Sequence, residues 1–103
     1  MEAGIVSITA PAEADLLELW RYIAPEEPGA ADRLVDQILD RAHILASMRE
    51  AGRDRPELGE GIRSFPVERY VLLYRATEKG IVIVRIIHSA QDITHIAEEG
   101  GFE

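Results

Sequence analysis

The chain has 103 residues, 47% of them apolar, with no cysteine and a formal charge of −8 from nineteen acids against eleven bases. That length suits one domain, residues 1–103, and no apolar run approaches the ~18–20 residues that cross a bilayer. The missing cysteines exclude disulfides, thiolate metal sites and cysteine nucleophiles, and the acidity opposes the counterion release that drives most nucleic-acid binding.

Residues 1–8 lack the charged and apolar regions of a secretory signal, so a cytoplasmic location is the expectation. Ile5, Val6 and Ile8 give residues 4–8 the β-branched character of a strand. Thr9 then reads as a helix N-cap, with Pro11 in the first turn and Glu13 and Asp15 at the positive helix end. The helix carries an apolar stripe of Leu16, Leu19, Trp20 and Ile23 at spacings of three and four, and Pro25 and Pro28 end it. The same period returns over residues 29–49, through Leu34, Val35, Ile38, Leu39, Ala42 and Leu45, and the short connection makes the two helices an antiparallel hairpin.

Residues 51–61 read as a polar loop. Strand signals follow at 62–65, 70–76 and 81–88, and Glu78-Lys79-Gly80 predicts a tight hairpin with Gly80 free to take positive φ. The run 81–84 is apolar on both faces, which calls for a covered strand with helices on one side and a second layer on the other. Residues 91–99 suit a short terminal helix and 97–103 a flexible tail. The order β-α-α-β-β-β predicts an α+β fold with a mostly antiparallel sheet and the helical hairpin packed on one face.

Charge is uneven along the chain: residues 10–50 hold nine acids and four arginines, and residues 51–95 hold six acids and seven bases. The second half is therefore the one able to face an anion. A phosphodiester-cleaving site needs a proton-transfer group and clustered cations, for which the candidates are His88, Arg63, Arg53, Arg55, Arg85 and Glu57. A strand-end histidine is more often structural than catalytic, and a single lysine in the chain argues against a nuclease working on a phosphate-rich target. Tyr70 and Tyr74 share a strand face and read as core or core-edge aromatics with wet hydroxyls, and Trp20 reads as a core anchor before an interface residue. His43 and His95 have no companions at ligand spacing, so no metal is expected, and without a glycine-rich phosphate loop or a dinucleotide fingerprint no other cofactor is expected.

Several stretches together resemble the ParE/RelE toxin superfamily, its ParE-like branch in particular. They are Ala14-Asp15-Leu16 with Trp20 and Tyr22-Ile23-Ala24, then Gly52-Arg53, Pro56-Glu57-Leu58, Gly61-Ile62-Arg63-Ser64, Tyr70 to Arg75 and the strand ending at His88. The resemblance implies the toxin of a type II toxin–antitoxin pair, bound by a cognate ParD-like antitoxin in a hetero-oligomer. ParE-like members inhibit DNA gyrase by binding, and RelE-like members cleave mRNA on the ribosome; a decayed toxin that only binds antitoxin is a third reading. On the binding reading, the residues offered to antitoxin or target are Arg63, Trp20, Tyr74, Arg75, Gln91 and Asp92. Gln91 marks a departure, because the family often has arginine there, before the aspartate. A neutral amide in place of a guanidinium implies a weaker grip on the target, with antitoxin binding retained.

Overall fold

In a computed structural model, residues 4–91 and residue 93 are described. The elements run β1 (Ile5–Ile8), α1 (Ala10–Ile23), α2 (Pro28–Ser47), β2 (Arg53–Asp54), a 3-10 turn (Pro56–Leu58), β3 (Arg63–Val67), β4 (Tyr70–Ala76) and β5 (Gly80–His88). They form an α+β fold whose five-stranded sheet has the order β1-β5-β4-β3-β2. β1 lies parallel to β5 at the end of a connection that holds the helical hairpin and the other three strands, and the other neighbours are antiparallel.

Thr9 explains how chain direction changes after β1. Its Oγ1 accepts from the Ala12 N–H at 3.2 Å, capping α1, and donates to the Val84 carbonyl at 2.9 Å, tying the helix start to β5. Leu16, Leu19 and Ile23 then face inward as the spacing predicts, whereas Trp20 stays 40% exposed. Its indole N–H donates to Asp32 Oδ1 at 2.9 Å, so Trp20 is a helix-to-helix strap on the flank of the hairpin and not the core anchor expected.

The main core lies between hairpin and sheet, where Leu19, Ile38, Leu45, Leu72, Tyr74, Ile81, Ile83 and Ile86 are buried. Each such aliphatic side chain contributes roughly 1.5–3 kcal/mol of transfer free energy. The opposite sheet face carries a smaller cluster of Leu58, Ile62, Leu73, Val84 and Ile87, with Val71 and Ile93 against it. The second layer called for by the apolar run is therefore the 3-10 turn and its loop. A bulge between β4 and β5 pairs Leu73 with Arg85 and Tyr74 with Ile83, leaving Val84 over. That extra residue is why Ile83 and Ile86 can both face the helices while Val84 and Ile87 face away.

Two local expectations are corrected. The stretch read wholly as polar loop contains β2, a ladder of only Arg53↔Ser64 and Asp54↔Arg63, too short and polar to show a period. Gly80 is not among the positive-φ residues. It is the first residue of β5, paired with Ile5, and a Cβ there would lie 2.0 Å from the Ile5 carbonyl oxygen. Close approach of β1 demands the glycine, not the turn. The terminal helix predicted for 91–99 and the tail 97–103 lie outside the described residues apart from Gln91 and Ile93. No described helix is long and apolar enough to cross a membrane.

Candidate functional site

β1 covers β5 only as far as Ile83, so the rest of that edge needs other partners. Helix α1 supplies them. Asp15 Oδ2 accepts from the Ile86 N–H at 2.9 Å, and the same carboxylate takes two bonds from Arg85, Nε to Oδ2 at 2.7 Å and Nη2 to Oδ1 at 3.0 Å. This fork is largely sheltered, with side-chain exposures of 20% and 16%, and the carboxylate raises the Arg85 pKa further. Further along, the Gln91 side-chain oxygen accepts from the His88 N–H at 3.0 Å, and the Gln91 N–H donates to the His88 carbonyl at 2.9 Å. The free edge of β5 is thus closed by side chains instead of a strand.

Beside this closed edge runs a groove between the hairpin and the sheet. One hollow of about 400 Å³ lies among Glu18, Leu19, Tyr22, Tyr70, His88 and Gln91. A second, of about 490 Å³, shares Tyr22, Tyr70 and His88 and continues past Leu34 to Arg69. Tyr22, on the last turn of α1, is 83% exposed. The rings of Tyr70 and His88 meet edge to face, with centroids 5.1 Å apart and planes at 83°. His88 Nδ1 accepts from the Ala90 N–H at 3.1 Å. Burial, with the Tyr22 hydroxyl nearby, pushes the Tyr70 phenol above its ordinary value.

The predicted site residues do not come together. His88 and Gln91 line the groove, Trp20 straps the hairpin flank, and Asp92 lies outside the described residues. Arg63, Tyr74 and Arg75 gather at the other end of the sheet. On the ladder, Arg63 faces Tyr74, whereas Val67 faces Tyr70 and Tyr70 faces His88. Four residues of strand rise therefore separate Arg63 from the row of His88, about 13 Å before the sideways offset is added.

At that far end the cations hold backbone. Arg63 Nη1 donates to the Gly52 carbonyl at 2.9 Å and the Glu50 carbonyl at 3.4 Å, and Arg75 Nε donates to the Glu60 carbonyl at 3.0 Å. Arg55 bonds Glu57 at 2.8 Å and holds that carboxyl below its usual range. Tyr74 does not keep the wet hydroxyl expected of it. It is fully buried, its oxygen accepting from the Gly52 N–H at 2.8 Å and donating to the Arg49 carbonyl at 3.0 Å. An outside partner cannot reach Tyr74 in this fold.

Sequence reasoning missed the Asp15–Arg85 fork because the two residues stand 70 positions apart. The one available signal was Asp15 lying off the apolar stripe yet inside the Ala14-Asp15-Leu16 stretch. Among the described residues no three His, Cys, Asp or Glu gather as a metal site.

A family model described as the ParE toxin of type II toxin–antitoxin system, parDE, matches residues 6–93. The chain is 39% identical over 87 residues to Toxin RelE3 of Caulobacter vibrioides, covering 84% of this chain and 95% of that protein. It is 32% identical over 92 residues to Toxin ParE3 of the same organism, covering 87% and 91% respectively. Its fold is similar to that of a chain from a chromosomal ParDE system of P. aeruginosa, with a TM-score of 0.69, 24% identity, and coverage of 84% of this chain and 96% of that one. It is also similar to a chain of the RelBE2 toxin–antitoxin complex of Mycobacterium tuberculosis, with a TM-score of 0.60, 27% identity, and coverage of 84% and 99%.

Proposed function

Because the chain belongs to the ParE toxin family of type II toxin–antitoxin systems, we propose that it is a toxin that acts by binding a protein target, as a ParE-like inhibitor of DNA gyrase, and not by cutting RNA. The observation that carries this reading is the separation of His88 from Arg63, the cation that the nuclease reading pairs with it. A nuclease would bring its proton-transfer group and its cations to one phosphate, within hydrogen-bond reach of the reacting atoms. Here Arg63 is engaged with backbone carbonyls four residues of strand away, and Arg85 is engaged with Asp15. The hollow around His88 includes Glu18, whose carboxylate repels a phosphodiester, and the continuing hollow sets Glu27 and Glu68 against Arg33 and Arg69.

A cognate ParD-like antitoxin neutralises the toxin by laying a segment along the groove between hairpin and sheet, where Tyr22 and the half-buried Tyr70 offer apolar surface with a polar rim. Expressing the chain with the product of its neighbouring reading frame tests the pairing. The expected result is a co-purifying complex that relieves the growth arrest caused by the chain alone. Free toxin on the column, with growth arrest unrelieved, would remove the antitoxin assignment.

A further inference from the structure

We propose that the hollow framed by Tyr22, Tyr70, His88 and Glu18 is a receptor for one arginine side chain carried by the antitoxin segment that covers the groove. The proposal deepens the binding reading above and rests on it for the identity of the partner.

Three aromatic rings line this hollow, two of them fixed edge to face and the third, Tyr22, standing 83% exposed at its mouth. An aromatic ring so exposed is apolar surface left without cover, and its π-face attracts a cation, a guanidinium best of all because it is planar and weakly hydrated. The carboxylates at the hollow differ in what is left to them. Asp15 is consumed by Arg85 and the Ile86 N–H, whereas no hydrogen bond or ion pair engages Glu18 among the described residues. Glu18 sits one helical turn before Tyr22, so ring and carboxylate present one face to the same guest. His88 uses Nδ1 within its own turn, toward the Ala90 N–H, and sets its ring against Tyr70. No lysine or arginine lines this hollow among the described residues; Arg33 and Arg69 lie in the continuing hollow beyond Tyr70.

Residues 92–103 of this chain do not provide the guest, since they contain no lysine or arginine and carry four acids. The charge of −8 on this chain favours a basic visitor carried by another molecule.

The test uses the intact protein and N-acetyl-L-arginine methylamide as the probe, followed by ring-proton shifts of Tyr22, Tyr70 and His88 in NMR titration, with the citrulline derivative as neutral isostere. Saturable shifts of these rings are expected, with arginine bound roughly tenfold tighter than citrulline, and Tyr22→Leu and Glu18→Gln each weakening it roughly three- to tenfold. Both positions are exposed, so the variants keep the fold, and unchanged shifts in the main core check this. Equal response to both probes, no response at these rings, or unchanged arginine binding by both variants overturns the arginine site. The antitoxin complex is scored separately: if it forms while the probe result is negative, the partner reading stands and only the arginine receptor falls.

Discussion

Replacing Tyr74 by phenylalanine removes one oxygen and two hydrogen bonds, those with the Gly52 N–H and the Arg49 carbonyl. The space is fitted to the phenol, since a Cβ on Gly52 would stand 2.4 Å from its oxygen. Leaving those backbone groups unpaired costs about 1–3 kcal/mol, so Tyr74→Phe should lower the unfolding free energy by that amount in urea titration. Burial raises the Tyr74 pKa above its ordinary 10.0, against the opposing pull of the Gly52 bond and Arg63. A raised folded-state pKa means that this stabilising term is fully present below pH 10.0 and is lost as pH rises through the higher folded value. The parent should therefore lose stability with base more steeply than Tyr74→Phe, which retains only the similar contribution of Tyr70. Sequence alternation placed Tyr74 on the right sheet face, but depth was not legible: whether a strand phenol ends in water depends on what lies above it, here the turn after α2. The backbone contacts of Arg63 were hidden for the same reason, since nothing local shows that its Nη1 meets the Gly52 and Glu50 carbonyls.

At the scale of elements, β5 organises the molecule. It pairs with β1 and β4, contributes to both core clusters, and has its free edge closed by Thr9, Asp15 and Gln91. The apolar run and the need for two covering layers were readable from composition, and the order of helices and strands from period and breakers. The bulge at Val84 and the two-residue β2 were not, because both are set by pairing between strands. Gln91 gains a second meaning here. Its side-chain oxygen accepts the last edge N–H of β5, which an arginine, having only donors, cannot do. Gln91→Arg should therefore speed hydrogen exchange at the His88 amide roughly five- to tenfold, corresponding to about 1 kcal/mol, while Gln91→Glu keeps protection near the parent level. Equal protection in all three proteins would show that the side chain does not close the edge.

Taken as a whole, the molecule divides its candidate site residues between two ends of one sheet. The far end is a stitched loop whose arginines hold backbone, and the near end is an aromatic groove with carboxylates. Family resemblance and fold were legible because they rest on the order of many ordinary residues over most of the chain, and residues 6–93 match the ParE toxin family. The candidate site was less so: His88 and Gln91 reach the groove, Arg63, Tyr74 and Arg75 do not, and the exposed Tyr22 entered the reading only as part of the Tyr22-Ile23-Ala24 stretch. The central claim is that toxicity needs binding and no proton transfer by His88. It is tested most directly by mapping mRNA 5′ ends in cells arrested by the chain and by a folded His88→Ala variant. Binding action predicts arrest by both proteins with messages left intact. Codon-linked cleavage by the parent, abolished together with growth arrest in His88→Ala, would contradict it.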